Sequence, residues 1–167
     1  MPSAQAAAIT EIEIPGAGWR PRPYQQPLWG YLKAGGKRAA AVWHRRAGKD
    51  SLCLNWGARS ALLQVGNYWH MLPEATQGRK VIWEAIDPKT GMRLIDQAFP
   101  HEIREGQRED EMILRLKTGS TWQVVGSANY NSLMGAPPLG VVFSEYALAK
   151  PMAWDFIRPI LAENGGW

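Results

Sequence analysis

The stretch Trp43-His44-Arg45-Arg46-Ala47-Gly48-Lys49-Asp50-Ser51 decides how this chain is read. Residues 39–43 before it are an apolar run suited to a buried strand. The helical pattern after it covers about residues 51–64, with Leu52, Trp56 and Leu63 on one face. Strand, turn, Gly-Lys and helix in that order make a phosphate-binding geometry: backbone N–H groups and the positive helix end point at the anion, and a lysine reaches the outer phosphates. The usual Walker A pattern has a glycine five residues before the Gly-Lys pair and Ser or Thr after it. Trp43 and Asp50 stand at those two places. A Gly-Lys pair alone is common, and an ordinary turn closed by Gly48, with Lys49 solvated, is the competing reading. Against it, Arg45, Arg46 and Lys49 crowd a helix start whose dipole disfavours cations, a crowding that a polyphosphate relieves.

Working outward, residues 25–34 carry Leu28, Trp29 and Leu32 at helical spacing, closed by Gly35-Gly36. Residues 68–72 read as a second strand, followed by Pro73 and a helix through residues 77–86. Residues 112–116 and 122–125 form a hairpin or two adjacent strands. Residues 140–143 read as a buried strand, and residues 152–161 as a terminal helix that must kink or break at Pro159. Strands alternating with helices predict an α/β fold with a mostly parallel central sheet flanked by helices. Ligands in such sheets sit beyond the carboxyl ends of the strands, here near Trp43, Leu72, Val125 and Phe143.

One of those ends carries an acid. Gly140-Val141-Val142-Phe143-Ser144-Glu145 runs from an apolar strand into a carboxylate. Triphosphate hydrolysis needs Mg2+ on the phosphates and a carboxylate that orients the attacking water. An acid after an apolar strand is commonplace; the informative feature is its combination with the basic Gly-Lys turn, in the right order. The usual Walker B aspartate falls at Ser144, which leaves Asp50 and Ser144, acting through water, or Ser51, as the metal-side residues.

Composition bounds the rest. With 167 residues, 46% of them apolar and 20% charged, the chain suits one domain with a packed core. A single Cys53 excludes an internal disulfide and a cysteine-rich zinc site, and fits a reducing compartment. No apolar run is long enough to span a membrane and no secretory signal is visible. The net charge is +4, and residues 16–59 hold nine Lys/Arg against the single acid Asp50, a distribution that suits nucleotide phosphates, a nucleic-acid backbone, or simply a solvated basic face. Residues 1–18 are read as a flexible N-terminal extension. Of the nine tryptophans, Trp29, Trp43, Trp56, Trp69, Trp83 and Trp122 fall on element faces and read as core rather than base-stacking residues. His44, His70 and His101 have no metal-ligand spacing, Cys53 is expected to be an inert buried thiol, and no Ser-His-Asp arrangement is evident.

Residues 44–50 and 140–147 resemble the Walker A and Walker B segments of large terminase subunits, the DNA-packaging motors of tailed bacteriophages and prophages. Arginine before Ala-Gly-Lys is typical of that family. Pro23-Tyr24-Gln25 resembles its adenine-side segment, residues 73–77 the segment after its second strand, and residues 131–135 the one before its Walker B strand, where Met134 stands in place of a frequent arginine. The resemblance covers about residues 21–167. It implies a P-loop NTPase fold of the additional-strand ATPase type over residues 19–167. ATP would be bound by Tyr24, Gln25, Arg45, Arg46, Ala47, Gly48, Lys49, Asp50 and Ser51, with Lys49 on the β- and γ-phosphates. Glu145 would polarise water, Arg45 or Arg46 would sense the γ-phosphate or stabilise transition-state charge as catalytic residues, and Mg2+ would sit by Asp50 and Ser144, through water. It further implies double-stranded DNA held by its backbone, a small terminase subunit, a portal, a homo-oligomeric ring in the full motor, and the cytoplasm of a bacterial host. The acidic cluster of the family's nuclease domain has no counterpart after Glu145, so the expectation is an isolated, incomplete ATPase domain without nuclease activity. The competing function is a nucleotide- or nucleic-acid-binding module that does not hydrolyse; a helicase-like ATPase lacks a specific motif after Glu145.

Overall fold

The computed structural model describes residues 14–133 and 135–167. Its sheet has the strand order β2-β3-β4-β1-β5, with β1 at Asn67–Leu72, β2 at Arg104–Arg108, β3 at Ile113–Leu116, β4 at Thr121–Gly126 and β5 at Pro138–Phe143. β1 lies between two parallel neighbours, with Tyr68 opposite Trp122 of β4 and Gly140 of β5. β3 pairs antiparallel with both β2 and β4, so it alone runs against the others. The parallel trio is what the alternation of strands and helices predicted. The antiparallel meander gives the sheet a mixed character.

Side-chain alternation along β1 builds a core on each face. Tyr68 and Leu72 join Leu54, Ala58, Trp83, Phe99 and Trp122 on one side. Trp69 and Met71 join Val125, Ala153, Ile157 and Leu161 on the other. The first side is covered by α2 (Lys49–Leu63). There, too, are α3 (Ala75–Gly78), which continues as a π-helical turn at Arg79–Trp83, and α4 (Leu94–Ala98). Trp83 and Trp122 stack with nearly parallel rings, centroids 6.4 Å apart, and Phe99 approaches Trp122 at 4.9 Å. Trp56, Trp69, Trp83 and Trp122 are therefore core residues, as expected, whereas Trp29 and Trp43 are only half-buried. The second side is covered by α5 (Pro151–Glu163). Ala153, Ile157 and Leu161, four residues apart, hold α5 on the sheet, and it continues through Pro159 rather than breaking there. Pro159 and Asp155 are exposed, so water can serve the carbonyl that proline leaves without a donor.

The main correction concerns residues 39–43, which form no strand; Val42 is 91% exposed. Ala39, Ala40 and Ala41 have little apolar surface to offset the cost of ordering. The outer edge of β5 is met instead by Trp167. Its N–H donates to Leu139 O at 3.0 Å and its carbonyl accepts from Val141 N–H at 3.0 Å, the pattern of a parallel bridge. Between that edge and residues 37–43 opens a cavity of about 1260 Å³.

Smaller differences follow from burial and length. The helix expected over residues 77–86 starts at Ala75 and its regular part ends at Trp83. β2 has no counterpart in the sequence reading. Of the expected extension over residues 1–18, residues 1–13 lie outside the described residues, as does Met134, but Ile14 packs on the core and Gly16 is buried against α4. α1 (Gln26–Lys33) has no fully buried residue, and its Trp29 meets Trp19 and Trp56 edge to face or tilted at 5.3 and 5.5 Å. Among the described residues no helix is long and apolar enough to cross a membrane.

Candidate functional site

The turn before α2 is fastened from below by the segment before α1. Gln25 is buried, and its Nε2 donates to Ala47 O at 2.8 Å and Gly48 O at 3.2 Å. Its Oε1 accepts the backbone N–H of Arg22. Tyr24 OH also donates to Ala47 O at 2.8 Å, and its ring meets Trp43 edge-on at 5.7 Å. Tyr24 and Gln25 thus hold the loop's main chain. Arg46 and Gly48 both take left-handed backbone, φ 62° and 76°, which turns the chain sharply into α2. No side chain caps α2, so its first-turn N–H groups are left to an outside acceptor.

Lys49 folds back over this loop: its Nζ donates to Trp43 O at 3.0 Å and His44 O at 3.1 Å. Asp50, next along, reaches β5. Ser144 Oγ donates to Asp50 Oδ1 at 2.7 Å. Beneath them His70, fully buried in β1, places Nε2 3.4 Å from the same oxygen. That separation is long for a hydrogen bond, and neither ring nitrogen of His70 has a partner among the described residues. Burial pushes the Asp50 carboxyl upward, but the His70 contact, the Ser144 hydroxyl and the Lys49 charge outweigh it and leave Asp50 below the ordinary carboxylate value. It is therefore a carboxylate at neutral pH.

Glu145 follows Ser144 at the end of β5. It is exposed and takes left-handed backbone, φ 54°. Among the described residues three non-glycine positions have that conformation, and two of them, Arg46 and Glu145, lie in the candidate site. Strain of this kind persists where a site needs it. Arg45, Lys49, Asp50, Gln77, Ser144 and Glu145 all line the large cavity, which also takes in residues 141–143 at the carboxyl end of β5. Arg46 and Ser51 do not line it, and neither do Tyr24 and Gln25. Gln77 and His70 were missed by sequence reasoning. Gln77 was signalled by its place just after a strand's carboxyl end; His70, a lone polar residue in an apolar run, carried no signal. Cys53, one turn into α2, lines the cavity rather than the core, and burial with the Asp50 charge pushes its thiol up to about 12.

The arrangement can receive an anion at the start of α2, balance it with Lys49 and Arg45, and set two carboxylates beside it. A Mg2+ ion fits these residues: it asks for one or two carboxylates and completes its shell with water and phosphate oxygens. Asp50 meets that need, being ionised, partly exposed and already oriented by a hydroxyl.

No protein-family model matches the chain, and no curated protein matches it in sequence. Two solved structures match its fold. Both are of the Thermus phage P74-26 large terminase ATPase domain, one of them carrying a point substitution. Each aligns with a TM-score of 0.59 at 18% identity, over 89% of this chain and 68% of the other. The chain is thus a mixed α/β domain, a five-stranded sheet flanked by helices. Its fold is similar to that of a phage large terminase ATPase domain.

Proposed function

We propose that this domain is a P-loop ATPase of the large terminase kind, which binds ATP at the turn before α2 and hydrolyses it to move double-stranded DNA into a procapsid. One observation carries the reading: Lys49, Asp50, Ser144 and Glu145, from two segments far apart in sequence, line one cavity, with Asp50 and Ser144 joined by a hydrogen bond. In this reading the backbone N–H groups of residues 48–51 and the Lys49 ammonium hold the outer phosphates. Glu145 orients the attacking water and takes its proton. Arg45 faces the cavity and is the better placed of the two arginines to balance charge on the transferred phosphoryl group; Arg46 shapes the turn. Asp50 and Ser144 would hold Mg2+, through water, and the ion would supply neutralisation of phosphate charge. Tyr24 and Gln25 serve by fixing the loop that contacts the nucleotide. DNA is held through its phosphates by Lys and Arg, without sequence preference. The small terminase subunit, the portal and a ring of copies are the partners of the assembled motor.

A second reading, nucleotide binding without turnover, draws on residues 39–43 lying outside the sheet, where they leave the loop held mainly by Tyr24 and Gln25. The deciding test is Mg2+-dependent ATP turnover with nucleotide binding measured in parallel. The expected result is that Lys49→Ala abolishes binding, while Glu145→Gln keeps binding and loses turnover. Binding without turnover in the unaltered chain supports the second reading. Unchanged turnover in both variants refutes the site.

A further inference from the structure

P-loop ATPases hold their metal with a hydroxyl on the residue after the loop lysine and a carboxylate near the end of the Walker B strand. In this chain the residue after Lys49 is Asp50, and the residue before Glu145 is Ser144. Each residue type stands where the other is usual. The fold brings the start of α2 beside the end of β5 whatever residues stand there, so the informative point is that the two side chains are complementary. Ser144 Oγ donates to Asp50 Oδ1 at 2.7 Å, across 94 positions of sequence. We propose that the metal-positioning pair is intact with its members exchanged: Asp50 supplies the carboxylate from the first turn of α2, and Ser144 supplies the hydroxyl that orients it from the end of β5. This inference rests on the ATPase reading and adds to it a division of labour between the two residues.

Three features distinguish this pair from a helix-end aspartate whose role is to favour the dipole. Asp50 is held from a second element by the Ser144 hydroxyl after β5, and His70 Nε2 of β1 lies 3.4 Å from the same oxygen. His70 is fully buried with neither ring nitrogen partnered, so a polar group is held at this spot without a hydrogen bond of its own. The pair also faces the cavity alongside Lys49 and Glu145. Exchange conserves what the site needs, one negative charge and one hydroxyl, and shifts the charge from the strand to the helix. Each single reversal breaks that balance. Asp50→Ser leaves two hydroxyls and no carboxylate, and Ser144→Asp sets two carboxylates against each other at hydrogen-bond distance.

The test is a double-mutant cycle read by binding rather than turnover. Calorimetry with a non-hydrolysable ATP analogue, with and without Mg2+, gives the enhancement of affinity due to the metal; Mn2+ resonance in the nucleotide complex reads the ion directly. We expect Asp50→Ser and Ser144→Asp each to reduce the Mg2+ enhancement at least tenfold. The combined Asp50→Ser/Ser144→Asp variant should return it to within about threefold of the unaltered chain, a strong departure from additivity. Asp50→Asn, which keeps the shape of the residue but removes a negative charge beside the phosphates, should bind the metal-free analogue more tightly than the unaltered chain and lose the Mg2+ enhancement. This variant keeps the test decisive if a reversal fails to fold. Additive losses in folded variants, or an Asp50→Asn protein with full Mg2+ enhancement, overturn the exchange while leaving the nucleotide site standing. An unaltered chain that binds no analogue overturns the ATPase reading itself.

Discussion

Substituting Gly48 by alanine probes the loop's anchoring with a magnitude the structure supplies. Gly48 has φ 76°, and a Cβ there would lie 3.1 Å from Gln25 Nε2. The left-handed backbone costs an alanine about 1–2 kcal/mol. Displacing the Gln25 amide weakens its bonds to Ala47 O and Gly48 O, about 1 kcal/mol for each bond lost. Together these predict a loss of about 2–4 kcal/mol. With a urea dependence of about 2 kcal/mol/M, the midpoint falls by about 1–2 M at unchanged slope. Two controls separate the contributions. Gly91 has φ 70° with open space around the missing Cβ, so Gly91→Ala should show the backbone cost alone. Gly30 lies within α1, also in open space, and Gly30→Ala should stabilise by about 0.5–1 kcal/mol through helix propensity. Equal losses for Gly48→Ala and Gly91→Ala would refute the idea that Gln25 anchors the loop, and no loss in either would refute the backbone argument.

Two further outcomes concern charge. Burial raises the Asp96 carboxyl, but hydrogen bonds from Arg93 and Arg104 outweigh that and leave it below the ordinary value. A lowered folded pKa gives stability that is present above the unfolded value of about 3.9 and is lost as pH falls through the folded value. Asp96→Asn should therefore cost about 3 kcal/mol at neutral pH, because Arg104 keeps its buried place without a carboxylate. The gap to the unaltered chain should narrow in denaturation curves taken below about pH 4. The Cys53 thiol, raised to about 12, should react with a disulfide reagent at pH 8 roughly fiftyfold more slowly than a free cysteine, because its scarcer thiolate is partly offset by greater nucleophilicity; a rate near that of the free thiol would contradict its environment.

What was legible in the sequence were the features carried by local pattern. The turn into α2, the buried run of β1 and the hairpin of β3 and β4 each combine a clear period with a glycine or polar boundary, and they fold where expected. Residues 39–43 misled because an apolar run reports hydrophobicity and not the presence of a neighbouring strand to pair with. β2, with the sequence Arg-Glu-Gly-Gln-Arg, hid for the opposite reason: an edge strand needs few apolar residues, and Arg104 is buried by bonding to Phe99 O, Ile95 O and Asp96. At the site, Lys49, Asp50, Ser144 and Glu145 were legible as residues in motifs. Their coming together was expected from the order of the motifs and from the resemblance, but the direct bond from Ser144 Oγ to Asp50 Oδ1 was not, because nothing local in either segment records a hydrogen bond across 94 positions. The roles of Gln25 as a loop anchor and of His70 beneath Asp50 depend on packing that pattern cannot express.

The two carbonyls that Lys49 already grips change what binding means at this loop. Trp43 O and His44 O are internal rivals to any anion, and an incoming phosphate takes the ammonium by exchange rather than by adding to an empty hand. Affinity is then the small difference between two charge-assisted sets of bonds, each about 1.5–3 kcal/mol per bond, so the loop favours turnover of occupants over their retention. The same carbonyls lower the barrier to departure, because Lys49 can transfer to them as the anion leaves and never faces an unpartnered interval. On the proposed reading, Lys49 returns to these carbonyls each time a phosphate leaves, so the loop starts and ends a cycle in the same partnered state.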